Sequence, residues 1–213
     1  MSTTGVSPSA SLTLELLNKF SWLDKFYLAG GTALALQLQH RLSFDLDFFS
    51  TEKFDQKIIN ENLRTLGGYK LDRLAEDTLL GMINGTKISF FTYKYPPIGK
   101  IVNYEGIKLA SLEDIAAMKI DAIAGRGTKR DFVDLYFICQ QYSLGKCLEF
   151  YLAKYPGLSE NTFHVLRSLS YFEEAENPGQ ELTMLKPVAW EKVKMYFESE
   201  SISLAKTFLQ KSS

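Results

Sequence analysis

The chain has 213 residues, 46% of them hydrophobic, with 24 Lys and Arg against 25 Asp and Glu and a formal net charge of −1. This composition excludes general disorder and a histone-like grip on polyanions, so any nucleic-acid contact must come from a local patch. No apolar run approaches the roughly 20 residues that span a bilayer, the first residues lack a signal peptide's basic start and apolar stretch, and two cysteines cannot build a disulfide scaffold; a reduced, cytoplasmic protein with no membrane partner is expected.

In chain order, the Ser- and Thr-rich first ten residues read as a loose tail. A helix is predicted from about 11 to 24, with Leu12, Leu16, Leu17 and Phe20 on one face. Residues 26–29 form a short strand, Gly30 and Gly31 break it, and Thr32 opens a second helix through Leu38. Residues 44–49 alternate apolar and acidic side chains, a strand pattern. A helix over 55–66 is followed by strands at 69–75, 78–84 and 86–93, with a turn at Gly85. Ser111 with Asp114, and Thr128 with Asp131, have capping-box spacing for helices reaching about 124 and 142. The remainder is helical, broken near Pro156-Gly157 and Pro178-Gly179. The expected organisation is a mixed α/β (α+β) unit over 1–110 and a helical unit over 111–213.

The sharpest local signal is FDLDFF. On a strand, residues i and i+2 share a face, so Asp45 and Asp47 project together while Phe44, Leu46 and Phe48 turn the other way. Adjacent carboxylates repel unless something positive lies between them, and Mg²⁺ is the hard cation such oxygen ligands suit. Two surface acids on a solvent-facing strand give the same pattern. Upstream lies FYLAGGTALAL, a strand, a Gly-Gly turn and a helix. Glycines permit close backbone approach, and a helix N-terminus offers N–H groups to phosphate. A plain tight turn with a Thr cap reads identically. The two features together are more specific than either half, although neither a P-loop nor a dinucleotide fingerprint is present.

The segment LAGGTALALQLQHRLSFDLDFFS closely resembles the nucleotidyltransferase toxins of the AbiEii/AbiGii type, and SLEDIAAMKIDAIAGRGTKRDFVDLYFI resembles the second signature of that family. The resemblance covers roughly 26–140. It implies a polymerase-β-like nucleotidyltransferase core followed by a helical C-terminal domain. It also implies that Gly30, Gly31 and Thr32 hold nucleotide phosphates, that Asp45 and Asp47 bind Mg²⁺, and that Lys119 and Asp134 have functional roles. Arg41 and Ser43 are phosphate contacts by the same resemblance, or turn residues. The implied reaction is Mg²⁺-dependent transfer of a nucleoside monophosphate from a nucleoside triphosphate to an acceptor hydroxyl. The implied setting is a toxin–antitoxin or phage-defence pair, with the 3′ end of tRNA as acceptor in some relatives and an antitoxin protein as partner. A protein or small-molecule acceptor such as an aminoglycoside, or a non-catalytic nucleotide- or partner-binding role, is the alternative.

Several residues can be read without the family. Lys119 lies among Ile115, Ala116, Ala122 and Ile123 at helical spacing, so its amine either snorkels outward or enters a cleft. Asp134 sits in DFVDLYFI, apolar nearly all round, and must be paired or at the rim of a site. Asp131 has a capping explanation and is left out of the catalytic set, and Tyr136 reads as core. The loop GRGTKR clusters Arg126, Lys129 and Arg130, suited to a triphosphate, an RNA backbone or plain solvent. Many polymerase-β-like enzymes carry a third carboxylate on a later strand. The matching strand here, KISFF, has Lys87 and Ser89 instead, so Asp134 or a nearby residue supplies that charge or one metal site is weak. His40 and His164 lack ligand-spaced partners for zinc, and no other hydrolase or kinase signature is present.

Overall fold

A computed structural model describes residues 5–211, which divide between Ser111 and Leu112 into two compact units. The first unit is built on a seven-stranded mixed sheet ordered β3-β4-β5-β2-β1-β7-β6. Its strands are β1 (Tyr27–Ala29), β2 (Leu46–Ser50), β3 (Tyr69–Ala75), β4 (Thr78–Ile83), β5 (Thr86–Thr92), β6 (Val102–Tyr104) and β7 (Ile107–Leu109). The pairs β2–β5 and β1–β7 are parallel and the others antiparallel. The three-strand meander 69–92 follows the predicted spacing closely, because period-2 alternation and the glycine turn both specify it. The β6–β7 hairpin was not anticipated; three-residue strands are too short to show a period.

The helices of this unit are α1 (Pro8–Leu17), α2 (Gly30–Leu38) and α3 (Gln56–Arg64). Leu28, Leu46, Phe48, Leu79, Ile88 and Phe90 form the buried face of the sheet. Phe26 and Trp22 pack edge-on against Phe90, while Phe48 stacks on it with ring centroids 5.1 Å apart.

Three expectations are corrected. The described part of the N-terminus is not a loose tail: Ser7 N–H donates to the Ser43 carbonyl at 2.9 Å and Ser43 N–H to that of Gly5 at 3.0 Å. Gly5, at φ +77°, lies so close to the Ala35 carbonyl that any Cβ would collide with it. The first helix begins at Pro8, with Ser7 as its cap, and ends at Leu17; a 3-10 turn over Ser21–Lys25 follows. Its buried residues are Ala10, Thr13, Leu14 and Leu17, and Leu12 is exposed, so the apolar face was placed one register off. Phe44 precedes β2 and is exposed rather than sharing the core with Leu46 and Phe48.

The second unit is helical: α4 (Leu112–Gly125), α5 (Lys129–Ile138), α6 (Leu144–Lys154), α7 (Thr162–Ser168) and α8 (Trp190–Lys211), with 3-10 turns at Pro156–Asn161 and Glu174–Glu176. Its core includes Ile115, Ile120, Leu135, Leu148, Tyr151 and an aromatic group in which Phe132 meets Phe172, Trp190 and Phe197. Tyr136 is buried, as expected. Helix α5 stops at Ile138, four residues short of the prediction. Asp114, read as a capping acid, is fully buried and accepts from Lys154 Nζ at 2.6 Å.

Candidate active site

In the first unit the chain leaves β1 at Ala29 and turns directly into α2. Gly30 adopts φ +67°, a conformation that strains any side chain, which is why glycine stands there. No side chain caps the N-terminus of this nine-residue helix, so its first N–H groups receive no acceptor from the cap residue's side chain. A Cβ at Gly31 would lie 2.4 Å from Arg41 Nη2, so the second glycine makes room for a buried guanidinium packed beneath the turn.

The acid pair adjoins this turn. Asp47 pairs with Ala29 across the antiparallel β1–β2 ladder, and its Oδ2 is 3.5 Å from where a Cβ on Gly30 would stand. Asp45 and Asp47 are both half-buried, flanking the fully buried Leu46. Thr32 and Ser43 are buried with their hydroxyls 2.8 Å apart, and the Thr32 hydroxyl also donates to the Asp45 carbonyl. These two hydroxyls therefore tie α2 to the segment carrying the acids. Arg41 Nη1 donates to the Leu42 carbonyl at 3.0 Å, a turn contact within the same segment.

Among the described residues no three His, Cys, Asp or Glu side chains converge enough to hold a metal by themselves. In register beside Asp47 on β5 stands Ser89, a neutral hydroxyl where a third acid might be sought. Two carboxylates nevertheless fit Mg²⁺ chemistry, since that ion commonly takes one or two protein carboxylates and completes its shell with substrate phosphates and water.

The second unit holds a separate charged cluster. Lys119 on α4 is 5% exposed, and its Nζ donates to Asp131 Oδ1 at 3.0 Å and Asp134 Oδ2 at 2.6 Å, both acids being fully buried on α5. The amine therefore does not snorkel; it is inserted between two carboxylates. Asp131, excluded on sequence grounds, is the centre of this cluster. Arg126 reaches it with Nε at 3.0 Å and Nη2 at 3.2 Å, and Thr128 Oγ1 donates to Oδ2 at 2.6 Å. Thr128 is thus a donor to Asp131 and makes no side-chain cap, the reverse of the capping-box expectation. The available signal was Asp131 and Asp134 at i, i+3 on a helix with little other polarity.

Burial by itself would raise the Asp131 pKa, but the Lys119 charge, the Arg126 and Thr128 hydrogen bonds and the Arg126 charge overcome it and hold the carboxyl at about 2. Because the folded value lies below the unfolded one, the stabilisation is complete above pH ~4 and lost as pH falls toward 2. Its size is roughly 2 kcal/mol. Acid unfolding followed by circular dichroism should show this loss in the wild type and a weaker pH dependence over that window in Asp131→Asn.

The other two cations of the basic loop are placed differently. Lys129 Nζ lies 5.3 Å from the centroid of the Trp190 ring, and Arg130 is exposed. Cys139 and Cys147 are free thiols with sulfurs 3.9 Å apart.

A glycine turn at a helix N-terminus thus stands beside an acid-bearing strand in a mixed sheet. The model of the family described as nucleotidyl transferase AbiEii toxin, type IV toxin–antitoxin system, matches residues 13–99 and 92–178. The chain belongs to this family and is a nucleotidyltransferase. An uncharacterized protein of Aquifex aeolicus (strain VF5) is 36% identical over 191 residues, covering 87% of this chain and 90% of the relative. Among solved structures, JHP933 from Helicobacter pylori is similar with a TM-score of 0.57 at 17% identity, over 96% of this chain and 93% of that one. MenT4, a nucleotidyltransferase toxin from Mycobacterium tuberculosis H37Rv, is similar with a TM-score of 0.59 at 13% identity, over 91% and 82%. At such identities the two structures establish the fold. No helix among the described residues is long and apolar enough to cross a membrane.

Proposed function

We propose that this nucleotidyltransferase transfers a nucleoside monophosphate from a nucleoside triphosphate to a hydroxyl at the 3′ end of tRNA, as the toxin of a type IV toxin–antitoxin pair with a cognate antitoxin protein. The observation that supports the nucleotide site is that Asp47 Oδ2 lies 3.5 Å from where a Cβ on Gly30 would stand, at the N-terminal turn of a helix with no side-chain cap. Asp45 and Asp47 would hold Mg²⁺. When bound there, the ion neutralises the triphosphate and lowers the pKa of the attacking hydroxyl. Gly30 and Gly31 admit the phosphates to the α2 N-terminus; Thr32, Ser43 and Arg41 keep the turn and the acid-bearing segment in register. Lys119 would supply positive charge to the nucleotide, and Asp134 would orient it.

Label transfer tests this reading. Wild type and the Asp45→Ala/Asp47→Ala variant are incubated with Mg²⁺, each α-labelled nucleoside triphosphate in turn, and total bacterial tRNA. Label on the RNA with wild type alone is the expected result. Label on a protein band or a small molecule would replace the tRNA acceptor, and nucleotide binding without transfer would favour the non-catalytic alternative.

An RNA acceptor also needs phosphate contacts. With Arg126 engaged by Asp131, the remaining loop cations are Lys129 and Arg130. Neutralising both should lower the slope of log affinity against log salt for tRNA by about 1–2. An unchanged slope in filter binding across a salt series removes this loop from the RNA footprint.

A further inference from the structure

We infer that Asp131 is a positioning residue of the transfer reaction, fixing the Lys119 ammonium between itself and Asp134 with Arg126 as the balancing charge; this rests on the reading that Lys119 acts on the substrate. The geometry excludes a direct role. Asp131 is fully buried, Oδ1 accepts from Lys119 and Arg126, and Oδ2 accepts from Arg126 and Thr128. With two donors on each oxygen the carboxylate has little capacity left to take a proton from an acceptor or to ligate a metal. Whatever it does in the reaction must pass through the groups it holds.

The charge count explains why Arg126 belongs to the cluster. Two buried carboxylates meet the single Lys119 ammonium, and a second cation on the pair lowers the cost of burying both acids. The Arg126 side chain is 57% exposed, yet its guanidinium turns inward onto Asp131 and adds that second positive charge. A lysine has a flexible four-carbon stem, and one carboxylate leaves it free to swing about a single contact. Two carboxylates at i, i+3 on α5, meeting one amine from α4, restrict its position. This assigns Arg126 to Lys119 placement rather than to nucleic-acid phosphate.

The test combines a kinetic cycle with a readout that needs no substrate. Asp131→Asn should lower kcat on the order of 100-fold with the KM for nucleoside triphosphate within about twofold. In a Lys119→Met background, Asp131→Asn should cost no further turnover, the non-additivity expected of residues acting through one another. Asp131→Glu should recover part of the loss. Independent multiplication of the two single effects, or an effect confined to KM, overturns the inference. In parallel, the Lys119 ammonium should give a slowly exchanging ¹H–¹⁵N resonance in the wild type that broadens or disappears in Asp131→Asn. If the wild type transfers no label to any acceptor, the proposed function has failed while this resonance still decides the positioning role: persistence in Asp131→Asn overturns it. Should Asp131→Asn not fold, Arg126→Gln serves instead, since that side chain is largely exposed. It should weaken the same resonance and lower kcat while leaving tRNA affinity and its salt slope unchanged; a changed slope with unchanged kcat identifies a phosphate contact and overturns the assignment.

Discussion

Asp47→Ala is expected to abolish nucleotidyl transfer, by a factor of about 10³ or more, without unfolding the protein. Metal-held charge stabilisation in phosphoryl chemistry amounts to several kcal/mol, and each ~1.4 kcal/mol of barrier is tenfold in rate. Asp45→Ala should act in the same direction. The structural cost is small because both side chains are only half-buried; a change within about 1 kcal/mol is expected. Transfer assays and thermal melts on the same samples check both halves. A large drop in melting temperature with modest loss of transfer would mean that the acids support the central strand β2 rather than the reaction. Asn at Asp47 should resemble Ala in activity, because the neutral amide cannot replace the missing charge.

Lys154→Met is expected to destabilise the helical unit by about 3–5 kcal/mol, since it removes the buried ammonium paired with the Asp114 carboxylate. Both partners are fully buried, with Nζ 2.6 Å from Oδ1, and they join α6 to α4. A fall in melting temperature of roughly 10 °C or more should follow. The double replacement Asp114→Leu/Lys154→Met removes both charges and should recover most of that loss, because a buried pair and a well-packed apolar pair are often similar in stability. Equal damage from the single and double variants would show that Asp114 matters through the α4 N-terminus instead of through Lys154. Together with the Lys119 cluster, this pair gives α4 two charged anchors, one in its first turn and one at its middle.

The sequence by itself determined the elements whose patterns are long and local: the Gly-Gly turn into a helix, the acidic strand and the meander from 69 to 92. Gly30 was legible because few other residues suit a positive φ at a strand-to-helix turn, and Asp47 because period 2 turns it away from the buried Leu46 and Phe48; Asp45, expected on the same strand, precedes it. Shorter or non-local features were not legible. The N-terminal segment is pinned through Gly5 and Ser43, residues far apart in sequence, and the β6–β7 strands are three residues each. The same limit governs the charged residues. Sequence spacing fits Asp131 equally well as a capping acid and as the hub of a buried cluster, and Lys119 as a snorkelling or an inserted amine. Only the packing of α5 against α4 decided between them, because a buried charge is defined by the partners that tertiary structure brings within hydrogen-bonding distance, and those partners leave no periodic trace in the chain.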